Sequence, residues 1–140
     1  MEQYRCAFSH PLIGDEFGCR CAQQVTRREG PDVCCTSMPA HHRCTQLLQR
    51  MKTQALPALG VADDLLEMPH STQVKIQNGG LLGLQRLLYS DLRDADRVPD
   101  VDALVCEAIE YYGGHDAIPV DPLAEAICSY KLKRRRGRKR

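Results

Sequence analysis

The reactive side chains of this sequence are concentrated in its first third. Between Phe17 and Cys44, in "FGCRCAQQVTRREGPDVCCTSMPAHHRC", five cysteines and two histidines fall within 28 residues, and Cys6 lies just ahead of them. Thiolates and imidazoles are ligands for soft and borderline metals, and thiolates are also nucleophiles. The spacing decides between these chemistries.

Structural zinc is commonly held by C-x2-4-C pairs, because one tight turn then aims two thiolates at a tetrahedral ion. No such pair occurs here. The cysteines form a C-x-C pair (Cys19, Cys21), an adjacent pair (Cys34, Cys35) and singles at Cys6 and Cys44. Adjacent or alternate side chains are expected to point apart, which leaves a set of about four: Cys6, one of Cys19 and Cys21, one of Cys34 and Cys35, and Cys44. Four thiolates converging from separate loops suit an iron-sulfur cluster, which is large enough to take widely spaced ligands. The spacing therefore predicts a four-iron cluster, with zinc as the alternative, on candidates Cys6, Cys19, Cys21, Cys34, Cys35 and Cys44. A thiolate-bound cluster is anionic, and Arg20, Arg27, Arg28 and Arg43 stand near enough in sequence to balance it. His41 or His42 could add a nitrogen ligand beside Cys44. Cys106 and Cys128 border apolar helix faces and are expected to be small core side chains.

Catalysis finds less support. His10, His41, His42, His70 and His115 could serve a nucleophilic cysteine as bases, yet there is no C-x-x-C motif and no nucleophile elbow. Gly79-Gly80 could open a helix with N–H groups free for an anion, but no phosphate-loop lysine or G-x-G-x-x-G accompanies them. No enzyme class is assigned.

The surroundings of the cysteines follow from composition. A chain of 140 residues with 43% hydrophobic side chains suffices for one domain with a modest core. The start, "MEQYRCAFSHPLIG", lacks a basic segment followed by an apolar run, and no stretch approaches the ~18 apolar residues of a membrane span. A cytoplasmic protein is expected, and there thiols stay reduced, which favours metal over disulfides. Charge is segregated: residues 61–130 carry four Lys/Arg against thirteen Asp/Glu, while the last ten, "KLKRRRGRKR", carry eight basic residues and no acid. Such a tail suits phosphate or an acidic partner, and no aromatic residue follows Tyr130 to stack on bases.

The elements that must position the cysteines are mainly helical. Turn signals up to Pro39 predict a loop-dominated front with one short helix near Cys21–Arg28. Pro39 then opens an amphipathic helix, with Cys44, Leu47, Leu48 and Met51 on one face, ending near Leu56-Pro57. A short helix is expected over Ala62–Met68, and a short strand or extended loop over Thr72–Gly80. "LLGLQRLLYSDL" reads as a buried helix; Asp100 caps another that stops at Gly113-Gly114, and Asp121-Pro122 starts the last. The expected organisation is a cysteine-rich metal-binding region (1–38), a helical domain (39–130) and a basic tail (131–140). The expected function is electron transfer or an accessory role beside a larger redox enzyme or cluster-assembly partner. The alternatives are a zinc-stabilised module binding nucleic acid or protein through the tail, and a metal-free interaction protein with many thiols.

Overall fold

The computed structural model describes residues 4–14, 17–28, 30–59, 70–92 and 94–131, apart from the side chains of Arg27 and His70. The fold is mainly helical, as expected, but its front is a small sheet rather than loops. Strands β1 (Tyr4–Arg5), β2 (Ala22–Arg27) and β3 (Gly30–Cys35) form an antiparallel sheet in the order β1-β3-β2. Where a helix was expected over Cys21–Arg28, "AQQVTR" is a strand, because it pairs along its whole length with β3, from Ala22 opposite Cys35 to Arg27 opposite Gly30. Hydrogen bonding across the hairpin overrides a weak local preference. Gly30, at φ +130°, supplies the backbone geometry that closes the turn.

A short helix, α1 (Ser9–Gly14), follows β1, and the long α2 (Met38–Ala58) follows β3. The Ser37 hydroxyl caps α2 by accepting from the Ala40 N–H at 3.3 Å, and Pro39 sits in the first turn. Residues 70–88 form one continuous helix: α3 (His70–Val74), a π-helical turn over Lys75–Gly79, and α4 (Gly80–Leu88). The strand or loop expected over Thr72–Gly80 is therefore helical. Val74 and Ile76 mimic strand alternation, but buried Gln77 is satisfied within a helix because its Oε1 accepts from the His10 N–H at 3.1 Å. Asn78 donates to the Tyr130 hydroxyl at 3.0 Å. Gly79-Gly80 accordingly lie inside a helix and open no anion site. Their role is close packing, since a Cβ on Gly79 would lie 2.8 Å from Ile127 Cα, and one on Gly80 2.5 Å from Met51 Sδ.

Helix α5 (Val101–Tyr112) is capped by Asp100, which accepts from the Ala103 N–H, and ends at left-handed Gly113; α6 (Asp121–Ser129) closes the domain. Helix α6 packs on α2 and α4, and one hydrophobic cluster runs from Phe8, Phe17 and Val33 at the sheet through Leu47 and Met51 to Leu84, Val105 and Ile127. The helix expected over Ala62–Met68 lies outside the described residues, as does the tail beyond Lys131.

Candidate metal centre

Four segments bring cysteines to the seam between the sheet and the N-terminal ends of α2 and α5. Cys6 follows β1, its N–H bonded to the Val33 carbonyl at 3.0 Å. Cys19 and Cys21 lie on the approach to β2, Cys35 ends β3, and Cys44 sits in the second turn of α2.

The approach to β2 is fastened to α5. Gly18 donates to the Val98 carbonyl at 2.9 Å and accepts from the Val101 N–H at 2.8 Å, and the Arg20 N–H meets Asp100 Oδ1 at 3.0 Å. Only glycine fits at position 18, because a Cβ there would lie 2.4 Å from the Pro99 carbonyl oxygen. The other end of the turn is fixed by Thr36, whose N–H and hydroxyl both donate to the Cys21 carbonyl, at 2.8 and 3.0 Å.

Several of these thiols act on one another. Burial pushes the Cys6 thiol up to about 12; an N–H from Phe8 partly offsets this, and Cys19 and Cys35 add to it. Burial is also the main cause that raises Cys44, with Cys6, Cys19 and Cys35 contributing. Cys21 is pushed up to about 11 by burial, then by Asp102, Cys19 and Cys35. Cys19 is raised chiefly by burial, while N–H groups of Cys21 and Asp102 hydrogen-bond to its sulfur and favour the thiolate. Cys19 and Cys21, expected to diverge, both reach this group because they lie on an irregular turn rather than a helix.

Cys34 is placed differently from Cys35. Strand alternation sends the two side chains to opposite faces of β3, and Cys34 is fully buried there. The Cys35 thiol donates to the Ser37 carbonyl at 3.3 Å, beside the α2 cap. Cys44 belongs to the hydrophobic cluster, in keeping with its place on the apolar face of α2, and Cys6 and Cys19 pack against that cluster. Conversely, Cys106 is half-buried and Cys128 exposed, not core. Each follows a buried residue, Val105 and Ile127, and so is turned about 100° off the inner helix face.

A buried carboxylate organises the rim. Asp102, 2% exposed, receives Arg20 Nε at 2.8 Å on one oxygen and Arg43 Nη2 at 3.0 Å on the other. Burial alone would raise its proton affinity, but the two arginine hydrogen bonds outweigh it and hold the carboxyl below its ordinary range. Nothing in its spacing marked Asp102; it reads as one more acid in the first turn of α5. Of the arginines expected to balance the thiols, Arg20 and Arg43 share the single charge of Asp102, Arg28 is exposed, and the side chain of Arg27 lies outside the described residues.

The histidines stand apart. The ring of His41 stacks on Tyr4, centroids 5.2 Å apart, and His42 is exposed. His10 Nε2 meets Gln73 Oε1 at 3.0 Å, and His115 Nε2 meets the Arg43 carbonyl at 3.0 Å. Among the described residues, no three Cys, His, Asp or Glu side chains are arranged as they stand to hold a metal ion. No helix of the described residues is long and apolar enough to cross a membrane. Compared with known protein families, curated proteins and solved structures, the chain matches none.

Proposed function

We propose that this protein carries a thiolate-bound metal centre, an iron-sulfur cluster, at the seam between sheet and helices, and serves as an electron-transfer or accessory protein of a larger cytoplasmic redox system. The observation that carries the reading is that thiols from four segments come within electrostatic reach of one another: Cys6, Cys19 and Cys35 each raise Cys44, and Cys19 and Cys35 raise both Cys6 and Cys21. Core packing alone gives no reason for so many thiols at one place, and as protons leave them their negative charges repel. A cationic centre relieves that repulsion and takes the place of the protons.

The surroundings fit such a group chemically. The donors are soft sulfur atoms at the edge of an apolar core, and backbone N–H groups of Phe8, Cys21 and Asp102 already bond to sulfur. Hydrogen bonds of this kind stabilise thiolates on a cluster and raise its potential. Closing on a metal requires the thiols to turn from their present arrangement. The group would supply one-electron chemistry; the chain supplies ligands, N–H donors and the rigid seam.

The decisive measurement is the visible absorption of anaerobically purified protein, with iron, zinc and acid-labile sulfide determined on the same sample. Broad visible absorption with matched iron and sulfide is expected. Zinc alone, or no metal, would overturn the cluster.

A further inference from the structure

We infer that the basic C-terminal tail docks in cis on an acidic, tyrosine-walled cleft between the end of α4 and the C-terminal half of α5. This cleft is shallow and wide open to solvent, about 370 Å³, and is lined by Leu88, Tyr89, Glu107, Glu110 and Tyr111. It holds the most exposed large apolar side chain of the described residues, Tyr111 at 73%, beside Tyr89 at 40%. The Tyr89 hydroxyl donates to Glu107, and the Tyr111 ring is braced edge-to-face on Tyr112 with centroids 4.9 Å apart. The carboxylates of Glu107 and Glu110 beside the rings of Tyr89 and Tyr111 suit an organic cation: the acids pair with its charge while a ring covers its flat or methylene surface.

The occupant is identified by charge and reach. Residues 131–140 carry eight Lys/Arg and no acid. Lys131, the last described residue, lines a neighbouring cleft with Leu82 and Arg86 of α4 and with Asp94 and Asp96. The tyrosine-walled cleft begins at Leu88, six residues beyond Leu82 on the same helix, a rise of about 9 Å with about 240° of turn, so a segment leaving Lys131 must also pass around α4. Nine residues follow Lys131 and can span up to about 30 Å when extended. A span of this size covers the advance along α4 and the passage around it, and arginines are suited to both the carboxylates and the rings.

Zero-length carbodiimide coupling of the full chain, in an equal mixture of light- and heavy-isotope protein, tests this. Lys139 should couple to Glu107 or Glu110 within one molecule at about 50 mM salt, and the yield should fall several-fold at about 1 M, where charges are screened beyond ~3 Å. Glu110→Gln should lower it likewise. The chain contains no tryptophan, so Tyr111→Trp at an exposed position gives an independent probe. Its emission should differ between the full chain and a chain ending at Lys131. Coupling only between light and heavy molecules, coupling only to other acids, or identical indole emission from the Tyr111→Trp variant in both chains would overturn the proposal.

Discussion

The guanidinium of Arg20 lies 2.8 Å from the carboxylate of Asp102, across 82 residues of sequence. This contact ties the turn that carries Cys19 and Cys21 to the first turn of α5, and Arg43 adds α2 to the same carboxylate. Asp102→Asn should lower unfolding free energy by about 1–2 kcal/mol. That is less than the 3–5 kcal/mol of a fully buried pair, because the arginine side chains are 56% and 30% exposed and water can take over their solvation. An unchanged urea midpoint would refute the role given to this carboxylate.

The same pair sets an acid limit. Because Asp102 is held below its ordinary range when folded, its contribution is present above the unfolded value near 3.9 and is lost as pH falls through the folded one. The stability gap between the native chain and Asp102→Asn should therefore be constant above about pH 5 and shrink below about pH 4. Urea titrations of both proteins across that range measure it; a gap that widens in acid would contradict the assignment.

Ligand roles separate the adjacent cysteines. Cys35→Ser and Cys44→Ser should each lower metal content, whereas Cys128→Ser, at an exposed position, should leave it unchanged. Cys34→Ser should keep the metal yet cost about 1–2 kcal/mol, since it buries a hydroxyl where a thiol was packed. Metal loss from Cys34→Ser with none from Cys35→Ser would reverse the assignment.

Metal loading should also release protons. Cys6 and Cys21 hold theirs up to about 12 and about 11, so near neutrality each thiol that becomes a ligand expels roughly one proton. Adding Co2+ to the reduced, metal-free chain in weak buffer with a pH indicator counts them. Apparent affinity should fall steeply as pH is lowered; binding without proton release would exclude thiol ligands.

Two neighbouring glycines should respond unequally. Alanine in a helix gains up to about 1 kcal/mol over glycine, while overpacking costs about 1–3 kcal/mol. For Gly79→Ala the obstacle is the backbone of Ile127, which cannot move without α6, so the variant should be destabilised by about 1–2 kcal/mol. For Gly80→Ala the obstacle is the thioether end of Met51, which can turn aside, so the change should be near neutral. Thermal melts of both variants check the order.

Helix boundaries were legible where capping chemistry is local. Ser37 with Pro39, Asp100 and Gly113 each mark a terminus by a hydrogen bond or dihedral that a few adjacent residues determine. The sheet was hidden because β2 and β3 stabilise each other across a hairpin, and "AQQVTR" and "GPDVCC" carry no strand alternation that stands out alone. The cysteines were legible as a set by their number. Their partition was not, since it depends on strand register at Cys34 and Cys35 and on a turn at Cys19 to Cys21. Asp102 was invisible because its importance comes from two arginines that folding brings from distant parts of the chain.

The doublet at the end of β3 has a bearing on how reliably the proposed centre would be built. Its hairpin is short, and a slip of one residue would exchange every side chain between the two faces. With cysteine at both positions, such a slip presents Cys34 where Cys35 had stood, and the sulfur inventory of the seam is conserved. The penalty falls instead on Val33 and Asp32, which would trade an apolar face for a charged one. The strand is thus proofread by its hydrophobic residue, while its thiols remain indifferent to the error.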